Sequence, residues 1–133
     1  MKYRFMLIDD DGIFNMLNKK VITESGLAEE IIVHTSAEEA LHNLDLEITE
    51  GKGLPHVLFL DIRMPLMDGF EFLEELRKRP DNKLKEMSIF MLTSSLDLND
   101  RARSMEYPQV KGFCTKNLDR AKLDECVATV KAS

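Results

Sequence analysis

The chain has 133 residues, 44% of them hydrophobic and 32% charged, which fits one soluble globular domain of residues 1–133 and excludes a disordered segment. Its formal charge of −6 argues against a nucleic-acid or anionic-membrane surface, since both need clustered Lys and Arg. No apolar run approaches the roughly 18 residues of a membrane span, the first residues carry no signal-peptide pattern, and two cysteines, Cys114 and Cys126, form neither a disulfide framework nor a zinc spacing, so a reducing cytoplasm is expected.

In chain order, the first apolar run, residues 5–8, predicts a strand, and Asp9, Asp10 and Asp11 follow it directly. Ile13, Leu17 and Val21 then recur at helical spacing. A second strand is expected at residues 31–33. The next helix carries Ala37, Ala40, Leu41 and Leu44 on one face, opened by Ser36 with Glu39 three residues on, the spacing of a capping box. Residues 49–56, with Gly51, Gly53 and Pro55, read as a flexible loop. A third strand at residues 57–60 ends on Asp61. The third helix is opened by Asp68 and Glu71, shows Phe72, Leu73 and Leu76 on one face, and closes at Pro80 after a solvated basic end at residues 77–79. A fourth strand at residues 89–92 leads to Thr93. A weaker helix over residues 96–105 ends before Pro108. A fifth strand around Val110, Phe113 and Cys114 leads to Lys116, and the last helix carries Leu123, Cys126, Val127 and Val130.

Runs that are apolar at every position suit strands buried on both faces of a parallel sheet. Strand–helix repeated five times with right-handed crossovers predicts an α/β, doubly wound, five-stranded parallel sheet. The expected strand order is 2-1-3-4-5, flavodoxin-like, with helices on both faces and the site at the carboxyl ends of strands 1 and 3.

That topology brings Asp9 and Asp10 to the same edge as Asp61. Like charges repel, so the convergence makes sense around a hard divalent cation, and oxygen ligands suit Mg²⁺. Asp11, beside Gly12, reads better as a helix cap. Thr93 and Lys116 reach the same edge, where a hydroxyl and an ammonium can engage phosphoryl oxygens. Together these residues form a phosphoryl-transfer constellation with a nucleophile, a metal and a cation. His34, His42 and His56 are scattered without metal spacing, and the eight Met residues read mostly as core filler.

The stretch LFLDIRMPLMDGFEFL resembles the phosphoacceptor segment of bacterial response-regulator receiver domains. FMLIDDD resembles their acidic pair, FMLTSS their switch hydroxyl and VKGFCTKN their aromatic-to-Lys segment, so the likeness spans essentially the whole chain. The resemblance implies phosphorylation of Asp61, with Thr93 and Lys116 assisting. It implies Mg²⁺ held by Asp10, Asp61 and the backbone carbonyl of Arg63, with Asp9 acting mainly through water. It implies a donor phosphohistidine on a sensor histidine kinase or histidine phosphotransfer protein. It also implies a switch through Thr93 and Phe113 that alters a protein-binding surface on the fourth helix, fifth strand and fifth helix. Because no further sequence follows the last helix, a stand-alone receiver acting by protein contact or relay is expected. Asn117 stands where the family usually has a Pro with a cis bond. A trans Lys116–Asn117 bond is expected, since cis before a non-proline costs roughly 2.5–4 kcal/mol, and Asn117 suits a cap for the last helix. The rival is a phosphatase of the haloacid-dehalogenase type, whose opening Asp-x-Asp-Gly is matched by FMLIDDDGI, with Asp9 as nucleophile and Asp11 as acid. It lacks a downstream acidic pair and leaves MPLMDG unexplained.

Overall fold

A computed structural model describes residues 2–94, 97–116 and 118–132. The strands are β1 (Tyr3–Ile8), β2 (Ala28–His34), β3 (Val57–Asp61), β4 (Ser88–Thr93) and β5 (Val110–Thr115). The helices are α1 (Gly12–Ser25), α2 (Ala37–Glu50), α3 (Gly69–Leu76), α4 (Asp81–Leu84), α5 (Leu98–Ser104) and α6 (Arg120–Ala132). All strand pairs are parallel and the order is β2-β1-β3-β4-β5, the doubly wound, flavodoxin-like arrangement expected from the sequence. The single turn α4 was not expected; it makes the predicted fourth and fifth helices α5 and α6.

Side chains that alternate along the strands supply two cores. Met6, Ile8, Leu58, Leu60, Ile89 and Met91 face α2 and α3, where Ala40, Leu41, Leu44, Phe72 and Leu73 close over them. Phe5, Leu7, Val57, Phe59, Phe90 and Leu92 face the other way, covered by Ile22, Leu123, Cys126 and Val127. Each large side chain buried in this way contributes about 1.5–3 kcal/mol. Strands β1, β3 and β4 are accordingly buried on both faces. The edge strands are not: Ile31, Ile32 and Val33 of β2 are only half-buried, because no strand lies beyond them.

Local chemistry sets the helix ends. Asp11 caps α1 through Ile13 N and Phe14 N, and Asp68 forms a reciprocal capping box with Glu71 at α3. Ser36 accepts from Glu39 N at α2. Helix α2 runs through Thr49 and Glu50, two residues read as loop, and stops at Gly51, whose φ of 73° is the left-handed cap that glycine adopts without strain. Helix α3 ends at Leu76, before Pro80 is reached. The basic segment that follows is not simply solvated: Arg79 makes a two-pronged pair with Asp45 of α2 at 2.9 and 2.8 Å.

The largest departure is in α1. Ile13 and Leu17, expected to mark an apolar face, are 65% and 45% exposed, while Asn15, Asn18 and Ile22 are buried. The start of this helix lies over a polar site, where amide groups find partners that alkyl groups cannot. The expectations for Asn117, including the Lys116–Asn117 bond geometry, and for the Leu96 start of the fourth helix lie outside the described residues.

Candidate phosphoacceptor site

Asp61 is the last residue of β3, and the four residues before it are fully buried. Register places Ile8 beside Leu60, Asp61 beside Leu92 and Thr93 beside Thr115, so the acids after β1, Thr93 and Lys116 all emerge at one sheet edge. Asp9 and Asp61 are 4% exposed and Thr93 is 3% exposed, whereas Asp10 faces solvent. One carboxylate oxygen from each of Asp9, Asp10 and Asp61 falls within 4.8 Å of the others.

Lys116 reaches into this group. Its Nζ lies 2.9 Å from Asp9 Oδ2 and 3.5 Å from Asp61 Oδ1. The other Asp9 oxygen accepts from Asp11 N at 2.9 Å. The Lys116 backbone N–H donates to Thr93 O, which ties the Lys-bearing end of β5 to β4. Burial opposes the ammonium, but Asp9 and Asp61 more than offset it and raise the Lys116 pKa. Asp61 is driven the other way for an acid. Burial, then the neighbouring Asp9, lift it from 3.8 to about 7 against the pull of Lys116.

Three carboxylates around a single ammonium leave an excess of negative charge in a poorly solvated place. The donor set is all oxygen, with buried and exposed members. It fits Mg²⁺, which takes a few carboxylates and keeps several waters. Arg63 lies two residues beyond Asp61, and its guanidinium turns away to pair with Asp100 of α5 at 2.6 Å. Phe113 sits in β5 beside Met91, half-buried against the core.

The fold thus gathers Asp9, Asp10, Asp61, Thr93 and Lys116, and it leaves Asp11 in its capping role. Several participants were not singled out from the sequence. Phe14 of α1 puts its ring 4.5 Å from the Lys116 ammonium. Asn15 and Asn18 hold the flanking loops; their spacing with Ile22 on one helix face was the available signal. Leu66 takes a φ of 68° at the tip of the MPLMDG loop, where Met67 N bonds to Pro65 O at 2.8 Å, a tight and strained turn for a branched residue.

Known proteins agree with this geometry. The family model described as "Response regulator receiver domain" matches residues 5–128. The sensor histidine kinase CheAY of Helicobacter pylori is 31% identical over 104 residues, covering 78% of this chain and 12% of that protein. Response regulator Rcp1 of Synechocystis is 27% identical, covering 96% of this chain and 85% of that one. The crystal structure of a two component response regulator from Cytophaga hutchinsonii superposes with a TM-score of 0.93 at 28% identity, covering 100% of both chains. The chain spans only a small part of CheAY and about half of the ycf27 transcriptional regulators it also matches, at 46% of the Cyanophora paradoxa protein. Among the described residues no helix is long and apolar enough to cross a membrane. A parallel sheet in this order, an acidic pocket at its carboxyl edge and a family match over nearly the whole length leave one conclusion: the chain belongs to the response regulator receiver domain family of two-component signalling.

Proposed function

We propose that this domain is a phosphorylation-driven switch or relay in which Asp61 accepts a phosphoryl group from a phosphohistidine of a sensor histidine kinase or histidine phosphotransfer protein. The carrying observation is the meeting of Asp9, Asp10 and Asp61 within 4.8 Å, with Lys116 bridging Asp9 and Asp61. Asp61 attacks phosphorus through a carboxylate oxygen; the P–N bond to the donor imidazole breaks, and an acyl phosphate forms. Asp9, Asp10, Asp61 and the Arg63 carbonyl would hold Mg²⁺, which supplies charge neutralisation and orientation of the phosphoryl oxygens. Lys116 is placed to follow the negative charge from the carboxylate to the phosphoryl oxygens. The donor surface fits the exposed apolar residues around the pocket, Ile13 and Met16 of α1 and Leu66 of the MPLMDG loop, which are 65%, 63% and 88% exposed.

Intact-mass analysis with acetyl phosphate tests the acceptor. One phosphoryl adduct is expected, dependent on Mg²⁺ and absent from Asp61→Asn. An adduct that persists in Asp61→Asn, or maps to Asp9, would instead favour the phosphatase reading. That reading also needs Asp11 as an acid, yet an Asp11 oxygen is occupied with Ile13 N at 2.9 Å.

The output follows from the same charge. A phosphoryl group adds about −1.5 to −2 of charge. The Thr93 hydroxyl would move to donate to it, and Phe113 would enter the space released, burying no hydroxyl as it does so. The surface altered is α5, β5 and α6, on which Leu98 and Met105 are 70% and 50% exposed. Hydrogen exchange with and without beryllofluoride should show altered protection across residues 98–130. Identical protection in the two states would sink the switch.

A further inference from the structure

Helix α1 touches the site at three points. Phe14 lies under the Lys116 ammonium at 4.5 Å. Asn15 Nδ2 donates to the Asp9 carbonyl at 2.8 Å. Asn18 Oδ1 accepts from Leu118 N at 3.3 Å, joining positions 100 residues apart. Both asparagines are buried, Asn15 at 4% and Asn18 at 1% exposure. They occupy the inner face that Ile22 continues, where an aliphatic residue would be the ordinary choice. A buried amide is costly unless it is hydrogen-bonded, and each of these keeps one bond while Asn15 Oδ1 and Asn18 Nδ2 have no partner among the described residues, so the bonds that are made carry the reason for placing amides here. Those bonds do not stabilise α1 itself; they end on the two loops that carry Asp9 and Lys116. The Lys116 segment is held on both sides, by Thr93 O at the Lys116 N–H and by Asn18 at the Leu118 N–H.

We propose that Asn15 and Asn18 are positioning residues for phosphoryl transfer, with Asn15 fixing the acid loop after β1 and Asn18 fixing the β5–α6 loop so that the Lys116 ammonium rests between Asp9 and Asp61. The inference rests on the reading of Asp61 as acceptor. Asn18 touches none of the reacting atoms; it acts through Lys116. Losing its bond frees the Leu118 N–H and lets the Lys116 backbone shift, and small misplacements of a reacting group cost large factors in rate.

The test is a double-mutant cycle between Asn18→Leu and Lys116→Ala, read as the initial rate of phosphorylation by acetyl phosphate, with the Mg²⁺ dissociation constant measured alongside. In the wild-type background Asn18→Leu should slow phosphorylation roughly tenfold and leave Mg²⁺ affinity within about twofold. In the Lys116→Ala background the same substitution should have no further effect, because the group it positions is gone. A purely structural role would give equal losses in both backgrounds, or a parallel loss of Mg²⁺ affinity, and either would overturn the proposal. Hydrogen exchange of the unmodified protein gives a second reading independent of how the variant folds: the Leu118 amide should be protected, and exchange at open-loop rates would also overturn it. Wild-type protein that takes no phosphoryl group on Asp61 would bring down both this inference and its parent. Normal phosphorylation of wild type and Asn18→Leu alike would bring down this inference alone.

Discussion

Asp61→Asn is expected to make the magnesium-free protein more stable at about pH 8 and, by a clearly smaller margin, at about pH 5. Burial first, and Asp9 next, hold the Asp61 carboxyl up near 7 in the folded state, against 3.8 for the ordinary group. Between those two values the folded chain keeps a proton that the unfolded chain releases. Folding stability therefore falls as pH rises through the window, and the full penalty is present above about 7. A shift of about three units corresponds to about 4 kcal/mol, as a ceiling. Relaxation of the pocket and solvent screening lower the expected gain to about 1–3 kcal/mol. Asparagine keeps the shape and removes the charge, so its urea midpoint should exceed that of wild type at about pH 8 in EDTA, and by a smaller margin at about pH 5. Mg²⁺ should reverse the order, because a cation bound to the folded state stabilises the protein that retains the carboxylate. Equal midpoints for the two proteins at both pH values would show that Asp61 carries no such burden.

Gly69→Ala is expected to destabilise the fold by about 1–3 kcal/mol and to slow phosphorylation with it. A Cβ at this position would stand 2.7 Å from the Asp61 carbonyl oxygen and 3.0 Å from Ile62 Cα, both of them backbone. The approach is fixed by Gly69 N donating to Ile62 O at 2.8 Å, the bond that folds the MPLMDG loop back on β3. Neither contact can rotate away, so the peptide of the acceptor residue itself must move. Alanine's better helix propensity, about 1 kcal/mol over glycine, works in the opposite direction and is outweighed. Gly12→Ala is the control. It also opens a helix, but its Cβ meets nothing within 4 Å, so stability should hold or rise. Urea titrations and acetyl phosphate labelling of both variants decide the matter. A Gly69→Ala protein as stable and as quickly labelled as wild type would mean that the close approach does not constrain the acceptor.

Much of this molecule was legible from one-dimensional pattern. Runs such as VLFL and IFML are apolar at every position, which suits a strand covered on both sides, and their alternation with helical stripes pointed to the doubly wound sheet and its strand order. Acids placed directly after β1 and β3, a Thr after β4 and a Lys after β5 then had to meet, because parallel strands put all their carboxyl ends at one edge. Caps such as Asp68 with Glu71 were readable because their bonds are local.

What the tertiary structure alone decided are the features whose partners are distant in sequence. The spacing of Ile13, Leu17 and Val21 says that a helix forms but not which face turns inward; the polar loops beneath α1 chose Asn15 and Asn18 instead. Arg79 reads as a solvated charge until Asp45, 34 residues away, is brought beside it. The half-exposure of β2 depends on its place at the sheet edge, which its own residues do not encode. The raised pKa of Asp61 belongs to no segment at all. It arises from burial beneath the sheet edge and from Asp9 and Asp10 arriving on the loop after β1, against the pull of Lys116 from the end of β5, and charges interact through space, whatever their separation along the chain.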